Sequence, residues 1–228
     1  MPSYRFPSVF GSTSAGAPVR LTAKQAAGSP DIVGLIGRHC SVKTNDAMNV
    51  LMPVADGSEE MEVVIVADTF RRAKWNVVLA GLGAGAIRAS RGVRLMPDVA
   101  WADVTPEDFN MLVIPGGWDG VMAMAKDERL LASVRAFMAN GKWVGAICAG
   151  PLVLQAADVL QGRRVTCHPG VADELAQTSR LNDRVVVDGR LVTSQAPGTA
   201  LEFALALVRA VEGDRKAVAL AKEMVINI

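Results

Sequence analysis

From Met48 onward the chain carries short runs that are apolar at nearly every position: Asn49–Val54, then Met111–Ile114 ahead of Pro115-Gly116-Gly117, then Lys142–Ile147 ahead of Cys148. A strand that is apolar throughout, rather than at alternate positions, is covered on both faces. Between these runs lie segments of helical periodicity. Asp56–Ala73 has Asp56 and Glu59 at capping-box spacing and Met61, Val64, Ile65, Ala67 and Phe70 on an apolar face. Asp127–Asn140 is closed by Gly141, a further helix starts at Pro151, and Thr199–Val211 and Arg215–Val225 end the chain. Asn76–Gly81 and Arg164–His168 read as additional strands. Ile87–Ser90 with Val93–Met96, joined by Arg91-Gly92, and Arg184–Val187 with Leu191–Gln195, turning at Asp188-Gly189, read as hairpins. Strands alternating with helices predict an α/β fold with a largely parallel, helix-covered sheet.

Composition narrows what such a fold could do. The net charge of +1 comes from 24 basic and 23 acidic residues, a balance that argues against nucleic acid as the main partner. The most apolar stretch, Val144–Leu160, is interrupted by Pro151, Gln155 and Asp158, so no membrane span is expected. Three cysteines, Cys40, Cys148 and Cys167, cannot all pair within one chain. With only His39 and His168 available, neither a zinc site nor a CxxC redox pair is supplied. A free thiol in a reducing compartment, the cytoplasm, fits best. Residues 1–47 differ from the rest. They carry Arg5, Arg20, Lys24, Arg38 and Lys43 against Asp31 and Asp46, and the remaining 48–228 form the α/β domain. Such a basic leader reads as a disordered extension or a misassigned start. The alternative is a transit peptide, which would imply a mitochondrial or plastid location.

The strongest local signal is Val144-Gly-Ala-Ile-Cys148-Ala-Gly-Pro151. A buried strand ends, a nucleophilic side chain follows, and Pro151 suits the first turn of a helix. The small residues Ala146 and Gly150 leave room for the sharp turn of a nucleophile elbow. A thiol there faces the positive end of a helix, which predicts a lowered pKa and a thiolate; an inert buried cysteine is the alternative. Gly116 and Gly117 end another strand, where ligands bind in open α/β sheets. The N–H groups of Gly117 and Ala149 could there form an oxyanion hole, although a Pro-Gly-Gly alone is often just a turn. His168 is a candidate base for the thiol, or a structural histidine. Glu62 sits among Met61, Val63, Val64 and Ile65, unlike its neighbours Glu59 and Glu60, which read as surface charges at a helix start. A carboxyl drawn toward an apolar pocket has a raised pKa and could act as a general acid or base. Cys167 reads as a small core residue pointing away from His168.

Taken together, Glu59-Glu-Met-Glu62, Arg71-Arg72-Ala73, Pro115-Gly-Gly, Ala146-Ile-Cys-Ala-Gly-Pro151, Thr166-Cys-His-Pro169 and Pro197-Gly-Thr-Ala-Leu-Glu-Phe-Ala204 resemble the ThiJ/PfpI superfamily. Within it they are similar to the parkinsonism-associated protein deglycase and glutathione-independent glyoxalase branch, from about Met48 to Val225. The resemblance implies a flavodoxin-like three-layer sandwich, of the class I glutamine amidotransferase type, in a homodimer. It implies Cys148 as nucleophile, Glu62 as a buried protonated glutamate, His168 nearby, and Gly117 and Ala149 as oxyanion donors. The implied activity is cofactor-free conversion of α-oxoaldehydes such as methylglyoxal, or repair of glycated adducts. A redox role for Cys148, oxidised to a sulfinate in a stress-protective chaperone, is the alternative. Arg72 and Arg91 correspond to arginines of an anion pocket near the dimer interface. Two departures count: Ala149 stands where PfpI-type peptidases have histidine, which argues against that activity. Ala89 and Met96 stand where the animal branch has peripheral redox cysteines.

Overall fold

The computed structural model describes residues 48–176 and 178–227, so the expectations for residues 1–47, Cys40 included, lie outside the described residues. In chain order the main elements are β1 Asn49–Val54, α1 Glu60–Arg72, β2 Asn76–Gly81, β3 Ile87–Arg88, β4 Arg94–Leu95, β5 Val99–Ala100, β6 Met111–Ile114, α2 Trp118–Met124 and α3 Glu128–Ala139. They continue with β7 Trp143–Ile147, α4 Pro151–Ala156, β8 Arg164–Val165, β9 Ser179–Arg180, β10 Val185–Asp188, β11 Leu191–Ser194, α5 Ala200–Glu212 and α6 Asp214–Glu223. Seven strands form one sheet in the order β10-β11-β7-β6-β1-β2-β5. Every neighbouring pair is parallel except β10 with β11.

Alternation along the buried strands divides the core in two. Val50, Met52, Met111 and Val113 face Phe70 of α1, Phe203 of α5 and Leu220 of α6. Leu51, Leu112, Ile114 and Val144 face Phe137 of α3 and Leu152–Leu154 of α4. Both faces of the sheet are therefore covered, giving the three-layer α/β sandwich expected. Among the described residues the sheet is entered in its middle at β1, builds outward through β2 and β5, then returns to β6 on the other side of β1. That reversal is a topological switch point, where the carboxyl ends of β1, β6 and β7 open a crevice.

Several local expectations need correction. Glu59, not Asp56, caps α1, its Oε2 accepting the Glu62 N–H at 2.8 Å. Asp56 instead accepts the Arg88 N–H at 2.8 Å. The buried stripe of α1 runs through Glu62, Val63, Val66, Ala67, Thr69 and Phe70. Met61 and Val64, read as core, are about half exposed (52% and 50%), because packing against β1, β2 and α5 turns the helix by a residue. The first hairpin pairs only Ile87 with Leu95 and Arg88 with Arg94, so its turn is wider than Arg91-Gly92. The second pairs Asp188 with Leu191, which moves its turn to Gly189-Arg190. The strand expected over Arg164–His168 stops at Val165. Beyond it the Thr166 N–H goes to Thr193 Oγ1 at 2.9 Å and the His168 N–H to Cys148 O at 2.9 Å. The α2 helix, β5 and β9 were not expected at all.

Candidate active site

Cys148 follows β7 directly and has φ +64°, a left-handed conformation that costs a non-glycine residue roughly 1–2 kcal/mol. Its N–H is held by Ser194 O at 3.0 Å, from the end of β11, and its carbonyl by the His168 N–H. The two bonds fix the bend from both sides and aim the side chain out of the sheet. This is the elbow foreseen from Ala146 and Gly150.

Glu62 reaches the same point from α1 and is fully buried. Its Oε2 accepts the Gly116 N–H at 2.6 Å, while Oε1 has no hydrogen-bond partner among the described residues. Gly116 is where it is because nothing larger fits: a Cβ there would stand 2.5 Å from Cys148 Cβ, 2.7 Å from Glu62 Oε2 and 2.9 Å from Cys148 Sγ. Gly117 has φ +88°, and a Cβ on it would lie 2.1 Å from Gly57 O. Thiol, carboxyl and bare backbone thus meet at the ends of β6 and β7. The N–H groups of Gly117 and Ala149 lie near enough to the sulfur to lower its pKa.

Burial drives the carboxyl of Glu62 up to about 7, against the pull of the Gly116 N–H and the Cys148 side chain, with the charge of Glu59 adding to the rise. The lowered thiol pKa expected from the helix dipole is not found. Burial first, and then the carboxylate of Glu62, push Cys148 up to about 12, and the Gly117 and Ala149 N–H groups offset only part of this. The helix behind it, α4, is only six residues long, so its dipole is small. These two groups share one environment and titrate as a unit. Near neutrality the pair loses one proton, and it comes from the carboxyl, with the thiol still protonated. Moving the remaining proton from sulfur to Glu62 changes no net charge. It turns the carboxylate that holds the thiol pKa up into an O–H donor beside the sulfur.

His168 lies beside Cys148 through its main chain, its N–H donating to Cys148 O at 2.9 Å. Its imidazole is exposed, and Nδ1 accepts the Gly170 N–H at 3.0 Å. Arg72 and Arg91 are not brought together within the chain. Arg72 lies in the last turn of α1 and pairs with Asp68 and Glu223. Arg91 is bonded through its N–H to Glu60 at the first turn, at 2.9 Å, about 18 Å away along the helix. Arg91 and Arg88 help line a polar cleft of about 520 Å³ with Asp56 and Asp119. Cys148 does not line that cleft. Cys167 is fully buried in the core, as read. Among the described residues no cluster of three or more His, Cys, Asp or Glu could hold a metal ion.

The sequence model of the DJ-1/PfpI family matches residues 48–210. The chain belongs to the DJ-1/PfpI family. Protein DJ-1 homolog B of Arabidopsis thaliana is 41% identical over 179 residues, covering 78% of this chain and 41% of that protein. The chain therefore spans less than half the length of this plant relative. A Caenorhabditis elegans protein named Glutathione-independent glyoxalase DJR-1.2 is 37% identical over 177 residues, covering 77% of this chain and 94% of that protein. The crystal structure of Drosophila melanogaster DJ-1beta superposes with a TM-score of 0.77 at 37% identity, covering 80% of this chain and all of that one. The fold is accordingly the flavodoxin-like, class I glutamine amidotransferase-like one of DJ-1 structures.

Proposed function

We propose that this chain is a cofactor-independent glyoxalase that converts methylglyoxal to lactate, with glycated adducts as related substrates. The observation that carries this reading is the fully buried Glu62 carboxyl, raised to about 7, set against an elbow cysteine. Cys148 Sγ forms a C–S bond to the aldehyde carbon, and the alkoxide takes a proton to give a hemithioacetal. The Gly117 and Ala149 N–H groups, which lie near enough to the sulfur to lower its pKa, would stabilise that oxygen. Glu62, as carboxylate, removes the proton from the former aldehyde carbon. It returns a proton to the neighbouring carbonyl carbon, giving the thioester of lactate. Water then cleaves the C–S bond, releasing lactate and restoring the thiol. The isomerisation is redox-neutral within the substrate. The test is lactate formation from methylglyoxal without added thiol: Cys148→Ala should abolish it, and unchanged turnover in that variant refutes the reading.

The donor set around Cys148 favours one second reading, a redox-sensing chaperone. Two N–H groups and a protonated carboxyl could hold the oxygens of a sulfinate formed by peroxide. Mass spectrometry of the oxidised cysteine in wild type and Glu62→Gln, beside aggregation assays, separates the two. Sensing prevails if protection tracks oxidation while wild-type turnover is negligible. Peptidase activity is not expected with Ala149 after the nucleophile. A homodimer is supported by the exposed apolar side chains of Met61, Val64, Val93 and Met96; sedimentation tests it. A cytoplasmic location, or an organellar one, is decided by mass spectrometry of the mature N-terminus.

A further inference from the structure

The peptide group between Gly116 and Gly117 lies against Cys148, close enough that a Cβ on Gly116 would stand 2.9 Å from Sγ, and its Gly117 N–H lowers the pKa of the thiol. Its carbonyl, Gly116 O, accepts the Glu59 N–H at 3.0 Å. A peptide bonded at its carbonyl is polarised, so its N–H becomes a stronger donor. Two further bonds close a circuit. The Gly116 N–H goes to Glu62 Oε2 at 2.6 Å, and the Glu62 N–H goes back to Glu59 Oε2 at 2.8 Å. All three residues in this ring are buried. Glu59 therefore uses its main chain to fix the peptide that lies against Cys148, and its side chain to fix the start of the turn that carries the acid.

The side-chain bond is that of an ordinary cap: Asp127 accepts the Leu130 N–H at 2.8 Å in the same way, and Ser, Thr, Asp or Asn would serve. What sets Glu59 apart is that its main chain at the same time holds Gly116 O. The charge of Glu59 also acts on Glu62 in the direction that keeps it protonated.

We propose that Glu59 is a positioning residue that locks the Glu62 carboxyl and the Gly116–Gly117 peptide into one unit. The proposal rests on the glyoxalase reading for its reaction, but it can be tested without it. The probe is alkylation of Cys148 by iodoacetamide as a function of pH, with methylglyoxal kinetics on the same samples. Glu59→Gln keeps the acceptor and removes the charge. Its alkylation midpoint should move to lower pH by roughly 0.5–1 unit, with kcat within about threefold of wild type. Glu59→Ala breaks the ring and should lower kcat by roughly tenfold while KM changes by less than about twofold.

Rescue by glutamine of what alanine loses supports the proposal. Equal losses in both variants, or an unmoved midpoint in both, overturn it. Should the alanine variant fail to fold, the glutamine variant decides alone, and its midpoint must move. If wild type does not turn over methylglyoxal yet the midpoint moves as expected, the glyoxalase reading falls and the positioning role stands.

Discussion

Replacing Glu62 with glutamine keeps the shape of the side chain and an acceptor for the Gly116 N–H, but removes the proton that the site handles. In the unfolded chain this carboxyl titrates near its ordinary value of 4.5; in the folded chain burial raises it to about 7. Between those values the folded state binds a proton that the unfolded state has lost, so stability falls as pH rises. The contribution of the group is intact below about 4.5 and is lost as pH rises through about 7. The gap corresponds to about 3 kcal/mol. Glutamine cannot titrate, so the variant should gain on wild type by about 3 kcal/mol across this window and keep a constant advantage above it. Urea unfolding followed by circular dichroism at a series of pH values measures the difference directly. A difference that stays flat from acid to neutral pH would refute the reasoning, because the carboxyl would then ionise in the folded protein at no cost. A difference of opposite sign would make Glu62 an ordinary paired carboxylate.

Gly116→Ala should fold but lose at least ~100-fold in methylglyoxal turnover, since its methyl would stand 2.5 Å from Cys148 Cβ and 2.7 Å from Glu62 Oε2. His168→Ala should keep turnover within about tenfold of wild type, because the imidazole is bonded to the Gly170 N–H and not to the thiol; a loss comparable to that of Cys148→Ala would restore the histidine as a base. Val225 is a β-branched residue at φ +56° and is 89% exposed, so Val225→Gly should stabilise the fold by about 0.5–1 kcal/mol in thermal unfolding.

The strands and the elbow were legible because their signals are local. A four-residue apolar run such as Met111–Ile114, stopped by Pro115-Gly116-Gly117, points to a covered strand, and a cysteine between Ile147 and Pro151 with small neighbours suits a tight turn. Glu62 was legible for a less obvious reason. Its apolar neighbours Met61, Val63, Val64 and Ile65 single it out, although Met61 and Val64 are exposed; what buries it is the phase it shares with Val66 and Thr69. That phase was misjudged at Met61 and Val64, because the sequence offers several apolar positions and only docking on the sheet selects among them. The α2 helix escaped notice because Trp118-Asp119-Gly120 has turn-like composition, and its start is fixed by tertiary contact of Gly117 with Gly57. The thiol pKa was misjudged because a dipole argument needs only the helix. What opposes it is burial first, and then Glu62, 86 residues away in sequence.

The cost of this site falls on the two atoms that the proposed chemistry uses. The left-handed turn at Cys148 aims the sulfur at the price of backbone strain, and the apolar setting of Glu62 makes ionising the carboxyl cost about 3 kcal/mol more than in water. Considered singly, a thiol raised to about 12 is a poor nucleophile at neutral pH. The pair behaves otherwise. Its first proton leaves near 7, and the thiolate then needs only a proton shift to Glu62, with no charge created. A pH profile of Cys148 reactivity should therefore rise with the titration of Glu62 rather than with that of an isolated thiol. Glu62→Gln, which cannot accept the proton, should lose that rise near 7 even though its amide could still donate to the sulfur.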